Sequence, residues 1–304
     1  MSITIIKKGL ADSVQDLGRY GFQHLGIQPN GAMDFFSAQL GNYILKNEIT
    51  KPVIECYFPT SIFSFDAADT ICITGANFIP VLNEKSIAMN EPVAIQKGDV
   101  LQFLKPMHGR ICYLSFSSNI VKEPWLHSHS HAGPVFKTGY TLVTLTSGSE
   151  FKPIWNDAHL KPLIENIENR VFNHHPIHFI PGPAWNELTD SSIQTILSKP
   201  FTITGQSNRM GYQLNGPLLQ THTSKTYLSA AVTKGTLQLL PNGQIIVLMA
   251  DHQTIGGYPN LGQIILVDLP RFAQMNKDQT FHFSLTNVDN AQLQYQQLQA
   301  QFAN

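Results

Sequence analysis

"TLQLLPNGQIIVLMA", residues 236–250, holds two apolar runs parted by Pro241, Asn242 and Gly243. Runs this short, rich in Leu, Ile and Val and divided by turn formers, read as two β-strands rather than as helix. The same grammar recurs outward from them. Upstream lie "ITII" (3–6), "SIFSF" (61–65), "TICITG" (70–75), "PVAI" (92–95), "VLQFL" (100–104), "RICYLSF" (110–116), "YTLVTL" (140–145), "IHFI" (177–180) and "PFTITG" (200–205). Downstream lie "QIILVDL" (263–269) and "TFHFSL" (280–285). Strands recurring at about 8–12 residues with few helices between them indicate antiparallel barrels or sandwiches, not a doubly wound sheet. Helices are expected only over 34–46, where Asp34 takes the N-cap position, over 186–198, and in the tail. There Ala291, Tyr295, Leu298 and Phe302 keep helical spacing.

At 304 residues the chain is long for one core, and two domains are expected. The least regular zone, 121–172, divides a first β-domain (1–120) from a second (173–288), with a terminal helix over 289–304. Only 13% of residues are charged, about half the usual share, which points to extensive buried or protein-contacting surface. A net charge of −1 leaves no electrostatic footprint for nucleic acid, and no Lys/Arg-rich run marks an anionic membrane surface. The start, "MSITIIKKGLAD", is too short and mixed for a signal-peptide core, and no run of about 18 apolar residues occurs. Three cysteines without a CxxC pair fit a reducing compartment, so a cytoplasmic location is expected.

Two segments share an arrangement. Arg19-Tyr20-Gly21-Phe22-Gln23 and Arg209-Met210-Gly211-Tyr212-Gln213 both read Arg-x-Gly-aromatic-Gln, each preceded by a glutamine (Gln15, Gln206) and followed by Asn-Gly. The chain holds five arginines, and two of them stand in these segments. A guanidinium fork beside glycines is suited to clamping a carboxylate or phosphate; the other reading is a stitch to backbone carbonyls or to a carboxylate such as Asp16. The pair also hints at two related halves.

Other residues carry chemistry. Asp34 is either a helix cap or a carboxylate exposed near the arginine turn. Glu55 sits inside the apolar strand "VIECYF" and needs a partner, Arg19 or Arg209 being the candidates, for structure or for catalysis. "ADHQTIGGYP" is the densest polar segment: Asp251 and His252 offer acid and base, Gln253, Thr254 and Tyr258 offer hydrogen bonds, and Gly256-Gly257 free backbone amides for an anion. The alternating histidines of "HSHSH" (His127, His129, His131) would face one way on a strand, as would suit a metal, but a solvated loop is the better reading and no metal is expected; the "NHHPIH" histidines (His174, His175, His178) offer less still. No GxxxxGK[ST], GxGxxG, GxSxG or HExxH motif occurs.

In order along the chain, "VQDLGRYGFQHLGIQPNGAMD", "ITGANF", "SNRMGYQLNG" and "GTLQLLPNGQIIVLMADHQTIGGYPNLGQIILVDLPRFAQ" resemble the KipA family, which takes in allophanate hydrolase subunit 2 and one of the subunits of 5-oxoprolinase. The resemblance implies two cyclophilin-like β-barrels and a subunit that works beside a KipI-like partner. With a third subunit, such an assembly opens 5-oxo-L-proline to L-glutamate using ATP, bound here or by a partner. It equally allows a non-enzymatic regulator that binds a KipI-like kinase inhibitor, or the carboxyltransferase part of a biotin-dependent urea carboxylase, with biotin on another chain. On the matching motifs, Asp251, His252 and Glu55 become the candidate catalytic residues. Gln15, Arg19, Asp34, Asn77, Arg209, Gln253, Thr254, Gly256, Gly257 and Tyr258 become the candidate binders of a small anionic substrate. Two departures stand out: "EPWLHSHSHAGPVFKTG" replaces the family's Gly-Ser-Arg-Ser-Thr loop, and Asn208 replaces an aspartate.

Overall fold

The computed structural model describes residues 2–130, 136–145, 159–222 and 226–302. The chain forms two compact units: Met1–Arg19 with Asn30–Arg170, and Tyr20–Pro29 with Val171–Asn304. Ten residues near the start therefore belong to the second unit, an excursion that contiguous reading of the sequence did not anticipate.

The first unit is built from two sheets. One, of seven strands, runs in the order Asn119–Ile120, Thr141–Leu145, Ser2–Lys7, Ile62–Phe65, Val100–Phe103, Pro80–Leu82 and Lys85–Ser86. The other, of five, runs Ser13–Gln15, Val53–Tyr57, His108–Phe116, Asp69–Asn77 and Pro92–Ile95. Strand alternation places Ile3, Ile5, Phe63, Phe65, Ile71, Ile73, Cys112 and Leu114 in one shared core, all at most 1% exposed. Helix Phe35–Ile44 starts at Asp34, whose side chain accepts from the Ser37 amide at 3.0 Å, as its capping position predicts.

The second unit carries one eight-stranded sheet: Thr280–Phe281, Phe201–Ile203, Gly211–Asn215, Ile245–Leu248, Thr236–Leu239, Asn260–Ile264, Ile177–Pro181 and Phe283–Leu285. Its first and last strands are separated in sequence by His282 alone, so the sheet curls until its edges meet in a nearly closed barrel. Ladders are antiparallel except between Ile177–Pro181 and Phe283–Leu285, which run parallel. The fold is mainly β, as read.

Three local expectations change. "QIILVDL" is not one strand: the strand ends at Ile264, and Leu266–Asp268 and Leu269–Gln274 wind into helical turns, with Pro270 in the first turn where a missing N–H costs nothing. Helix 186–198 is shorter, Asp190–Ser198, capped by Thr189. The zone 121–172 is not irregular throughout. It keeps the expected strand, Thr141–Leu145, and adds helix Leu160–Phe172, whose buried Leu163, Ile167 and Val171 recur every four residues. Pro162 lies in that helix's first turn, so it does not break it. The terminal helix, Val288–Phe302, docks through Leu298 and Phe302. No described helix is long and apolar enough to cross a membrane.

Candidate functional site

The glycines around Arg19 form a neck. Gly18 and Gly31 both have positive φ, 95° and 91°, and a Cβ at Gly31 would lie 2.8 Å from the Leu17 carbonyl, so the backbones entering and leaving Tyr20–Pro29 touch where only glycine fits. Arg19, 4% exposed, closes this neck. Its Nη1 donates to Asn30 Oδ1, its Nη2 to the Ser130 carbonyl and its Nε to the Trp125 carbonyl at 3.4 Å, while the Trp125 ring lies 4.8 Å from the guanidinium carbon. The geometry is that of a stitch to carbonyls, not of an open clamp.

Asp16 holds the same loop from the other side. It accepts from Ser128 Oγ at 2.7 Å, Ser130 Oγ and the His129 amide at 2.6 Å, and the Gly18 amide at 2.7 Å. Burial alone would raise its carboxyl, but the hydrogen bonds from Ser130, His129, Gly18 and Ser128 outweigh burial and hold it below the usual carboxylate range. In "HSHSH" it is thus the serines that face the protein. His127 and His129 line a groove of about 570 Å³ with Asp16, Lys46 and Lys51. His131 lies outside the described residues. Among the described residues no cluster of His, Cys, Asp and Glu is arranged to hold a metal ion.

Glu55, fully buried, is met by tyrosines. It accepts from Tyr57 Oη at 2.9 Å, Tyr113 Oη at 2.8 Å and the Met33 amide at 2.8 Å. Tyr113 Oη in turn accepts from the Asp34 amide at 2.7 Å, a relay that fixes the start of helix Phe35–Ile44. Asp34 itself is fully buried and spends its carboxylate on the cap, where Ser37 Oγ also donates at 2.5 Å, so it is not exposed. Asn77 caps a turn, accepting from the Ile79 amide at 2.8 Å, and Gln15 Nε2 donates to Ser13 Oγ at 2.9 Å. A further carboxylate escaped the sequence reading. Burial pushes Asp12 up to about 6, against the opposing hydrogen bonds from Ser61 and Tyr57. Its signal is a lone aspartate entering the apolar strand pair.

In the second unit, Arg209 and Asp251 are both buried and joined twice: Nε to Oδ2 at 2.8 Å and Nη2 to Oδ1 at 2.9 Å. Their backbones are tied as well, the Asp251 amide donating to the Arg209 carbonyl at 2.8 Å. From the excursion segment, Gln28 Nε2 donates to the Asp251 carbonyl at 2.9 Å. The Arg-x-Gly-aromatic-Gln repeat therefore has two outcomes. Arg19 ends a loop with Gly21 at φ 91°, whereas Gly211 opens a strand; the two copies are not structural equivalents.

His252, 1% exposed, follows directly. Its Nδ1 lies 2.6 Å from the Gln253 carbonyl, which can only accept, so Nδ1 carries the proton and Nε2 the lone pair. Burial lowers its pKa, with Lys234 adding to the effect and the Gln253 carbonyl and Asp251 opposing it. Beyond it, the Thr254 carbonyl accepts from Val232, and Ile255–Gly256 pairs with Ala230–Ala231 as a two-stranded ribbon. Gln253 is partly exposed, and Gly257 and Tyr258 lie open at the end of that ribbon. The structure thus places the buried Arg209–Asp251 ion pair directly before the buried His252 in the chain, with Gln253 to Tyr258 following.

Known proteins share this architecture. The chain is 30% identical over 289 residues to a 5-oxoprolinase subunit of Escherichia coli, covering 95% of this chain and 93% of that one. It is 28% identical to urea amidolyase of Saccharomyces cerevisiae over 71% of this chain, but only 12% of that protein. The crystal structure of the Kluyveromyces lactis urea amidolyase superposes over 99% of this chain and 20% of that one, with a TM-score of 0.89 at 21% identity, a likeness of fold. The family model described as carboxyltransferase domain, subdomain A and B, matches residues 25–285, and the chain belongs to that family.

Proposed function

We propose that the chain is one subunit of an ATP-dependent 5-oxoprolinase, which opens 5-oxo-L-proline to L-glutamate beside a KipI-like subunit and a third subunit. The observation that carries this reading is the likeness to the Escherichia coli 5-oxoprolinase subunit along nearly the whole of both chains. The sequence has no glycine-rich phosphate loop of a familiar kind, and in this reading ATP is bound either by this chain or by a partner subunit.

A lactam carbon is unreactive because resonance spreads the nitrogen lone pair onto oxygen; once that oxygen is activated, water can add. In the proposed step the lactam oxygen takes the terminal phosphoryl group of ATP as ADP leaves, His252 Nε2 takes the proton of the attacking water, the C–N bond of the tetrahedral adduct breaks as that proton passes to nitrogen, and a second water releases phosphate from the resulting acyl phosphate to give L-glutamate. The Arg209–Asp251 pair keeps the imidazole in place throughout. ADP release by the co-purified subunits, measured with and without 5-oxo-L-proline, tests this; release that ignores 5-oxo-L-proline defeats it.

A second reading, carboxyl transfer of the urea carboxylase kind, is favoured by the superposition of 99% of this chain on urea amidolyase. No Ala-Met-Lys-Met segment is present, so biotin would come on another chain. Urea-dependent turnover that needs a biotinylated carrier would select it.

A further inference from the structure

Gln238 lies in strand Thr236–Leu239 of the second unit and is 1% exposed. Both polar atoms of its carboxamide, Oε1 and Nε2, are buried without a hydrogen-bond partner among the described residues. Burying such a group with both atoms unmet is unfavourable, because its hydration is lost and not replaced. Its neighbours on the strand are Leu237 and Leu239, and a third leucine would spare the fold that cost. The carboxamide lies against Gly256: a Cβ there would sit 2.3 Å from Nε2 and 3.4 Å from Oε1. Gly256 belongs to the thin ribbon that follows His252, held by the pairs Ala230–Gly256 and Ala231–Ile255. That ribbon faces solvent, with Ala230 and Ala231 exposed and Ile255 58% exposed.

We infer that Gln238 reads the edge of a planar amide whose N–H and C=O stand side by side, as in a lactam or a urea, and that the ligand reaches it when the ribbon lifts. A carboxamide and such an edge are complementary. Nε2 donates to the ligand's carbonyl while Oε1 accepts from its N–H, so two reciprocal hydrogen bonds close one ring. A carboxylate would satisfy only Nε2 and an amine only Oε1. A trans peptide presents its two groups on opposite sides and fits neither way. This inference rests on the amide-opening reading above and names the group that recognises its substrate class.

The test uses the assembled complex and titrates it with 5-oxo-L-proline, urea, L-proline and N-methyl-2-pyrrolidone, which keeps the carbonyl but lacks the N–H. For the wild type, binding of 5-oxo-L-proline or urea with much weaker binding of the other two is expected. Q238L should keep or raise the melting temperature and lose roughly 10- to 100-fold in affinity for the amide. G256A, whose methyl displaces the carboxamide, should show the same loss with the fold intact. If Q238L is instead less stable and binds as the wild type does, Gln238 merely holds a buried water and the inference falls while the 5-oxoprolinase reading stands. If the wild type binds neither amide, that reading falls and takes this one with it.

Discussion

Arg209 and Asp251 face each other through two hydrogen bonds of 2.8 and 2.9 Å, each residue less than a tenth exposed, and a third bond links their backbones at 2.8 Å. A fork-to-fork pair of this kind fixes direction as well as distance, and it locks the chain immediately before His252. The pair thus anchors the segment that carries His252, and removing either half leaves a buried charge.

Arg209→Ala is expected to destabilise the protein by about 3–5 kcal/mol, because Asp251 remains buried and unpaired. The double variant Arg209→Met with Asp251→Leu should recover most of that stability, since two apolar groups leave no charge behind. Chemical denaturation of the three proteins checks this; equal losses for the single and the double variant would show that the pair is not what holds the segment.

Arg19→Lys keeps the charge but loses the planar fork that reaches Asn30 and the carbonyls of Trp125 and Ser130. The expected cost is about 1–3 kcal/mol, with faster proteolytic cleavage near residues 125–130. Unchanged cleavage there would mean that Asp16 alone secures the loop.

His252 has a lowered pKa, so its base form persists as pH falls through the ordinary imidazole range. Activity of the assembled complex at pH 6.5 should fall by less than the roughly twofold drop an unperturbed imidazole gives. His252→Asn should cut kcat by roughly 10²–10⁴-fold. The same shift makes His252 favour folding above pH 6.5 and lose that contribution as pH falls below it, because the unfolded chain then binds the proton more readily.

Asp12 shifts the other way. With its carboxyl at about 6 in the folded protein and 3.8 in the free group, the folded state binds the proton more tightly between those values. Stability attributable to Asp12 is therefore fully present below the free value and is lost as pH rises through the folded one. Asp12→Asn cannot titrate, so the wild type should lose stability relative to this variant as pH rises across that window. Denaturation midpoints of both proteins check this; parallel curves would exclude Asp12 as the source of the slope.

Much of the fold was legible because its signals are local. Runs such as "PVAI" at 92–95 are short and apolar with turn formers a few residues away, and Asp34 caps its helix through Ser37, three positions away. Helix Leu160–Phe172 was hidden by Pro162, which breaks a helix only when it lies further inside. "QIILVDL" misled because a short apolar run looks the same whether it is a buried strand or a helical turn.

The candidate centre divides along the same line. The residues at 209 and 251–258 stood out by type, and their motif order placed the chain in its family. Which partner each one takes was decided elsewhere. Arg19 finds Ser130 across 111 positions and Arg209 finds Asp251 across 42, although both arginines stand in the same Arg-x-Gly-aromatic-Gln pattern. By itself the sequence determined a β-rich chain and its helix cap, because spacing and side-chain type act over a few residues. Tertiary structure alone made Arg19 a stitch, gave Glu55 two tyrosines, returned Tyr20–Pro29 to the second unit and left the amide of Gln238 beneath Gly256. Hydrogen bonds depend on distances of about 3 Å in space, and that separation along a folded chain is not written in the order of its residues.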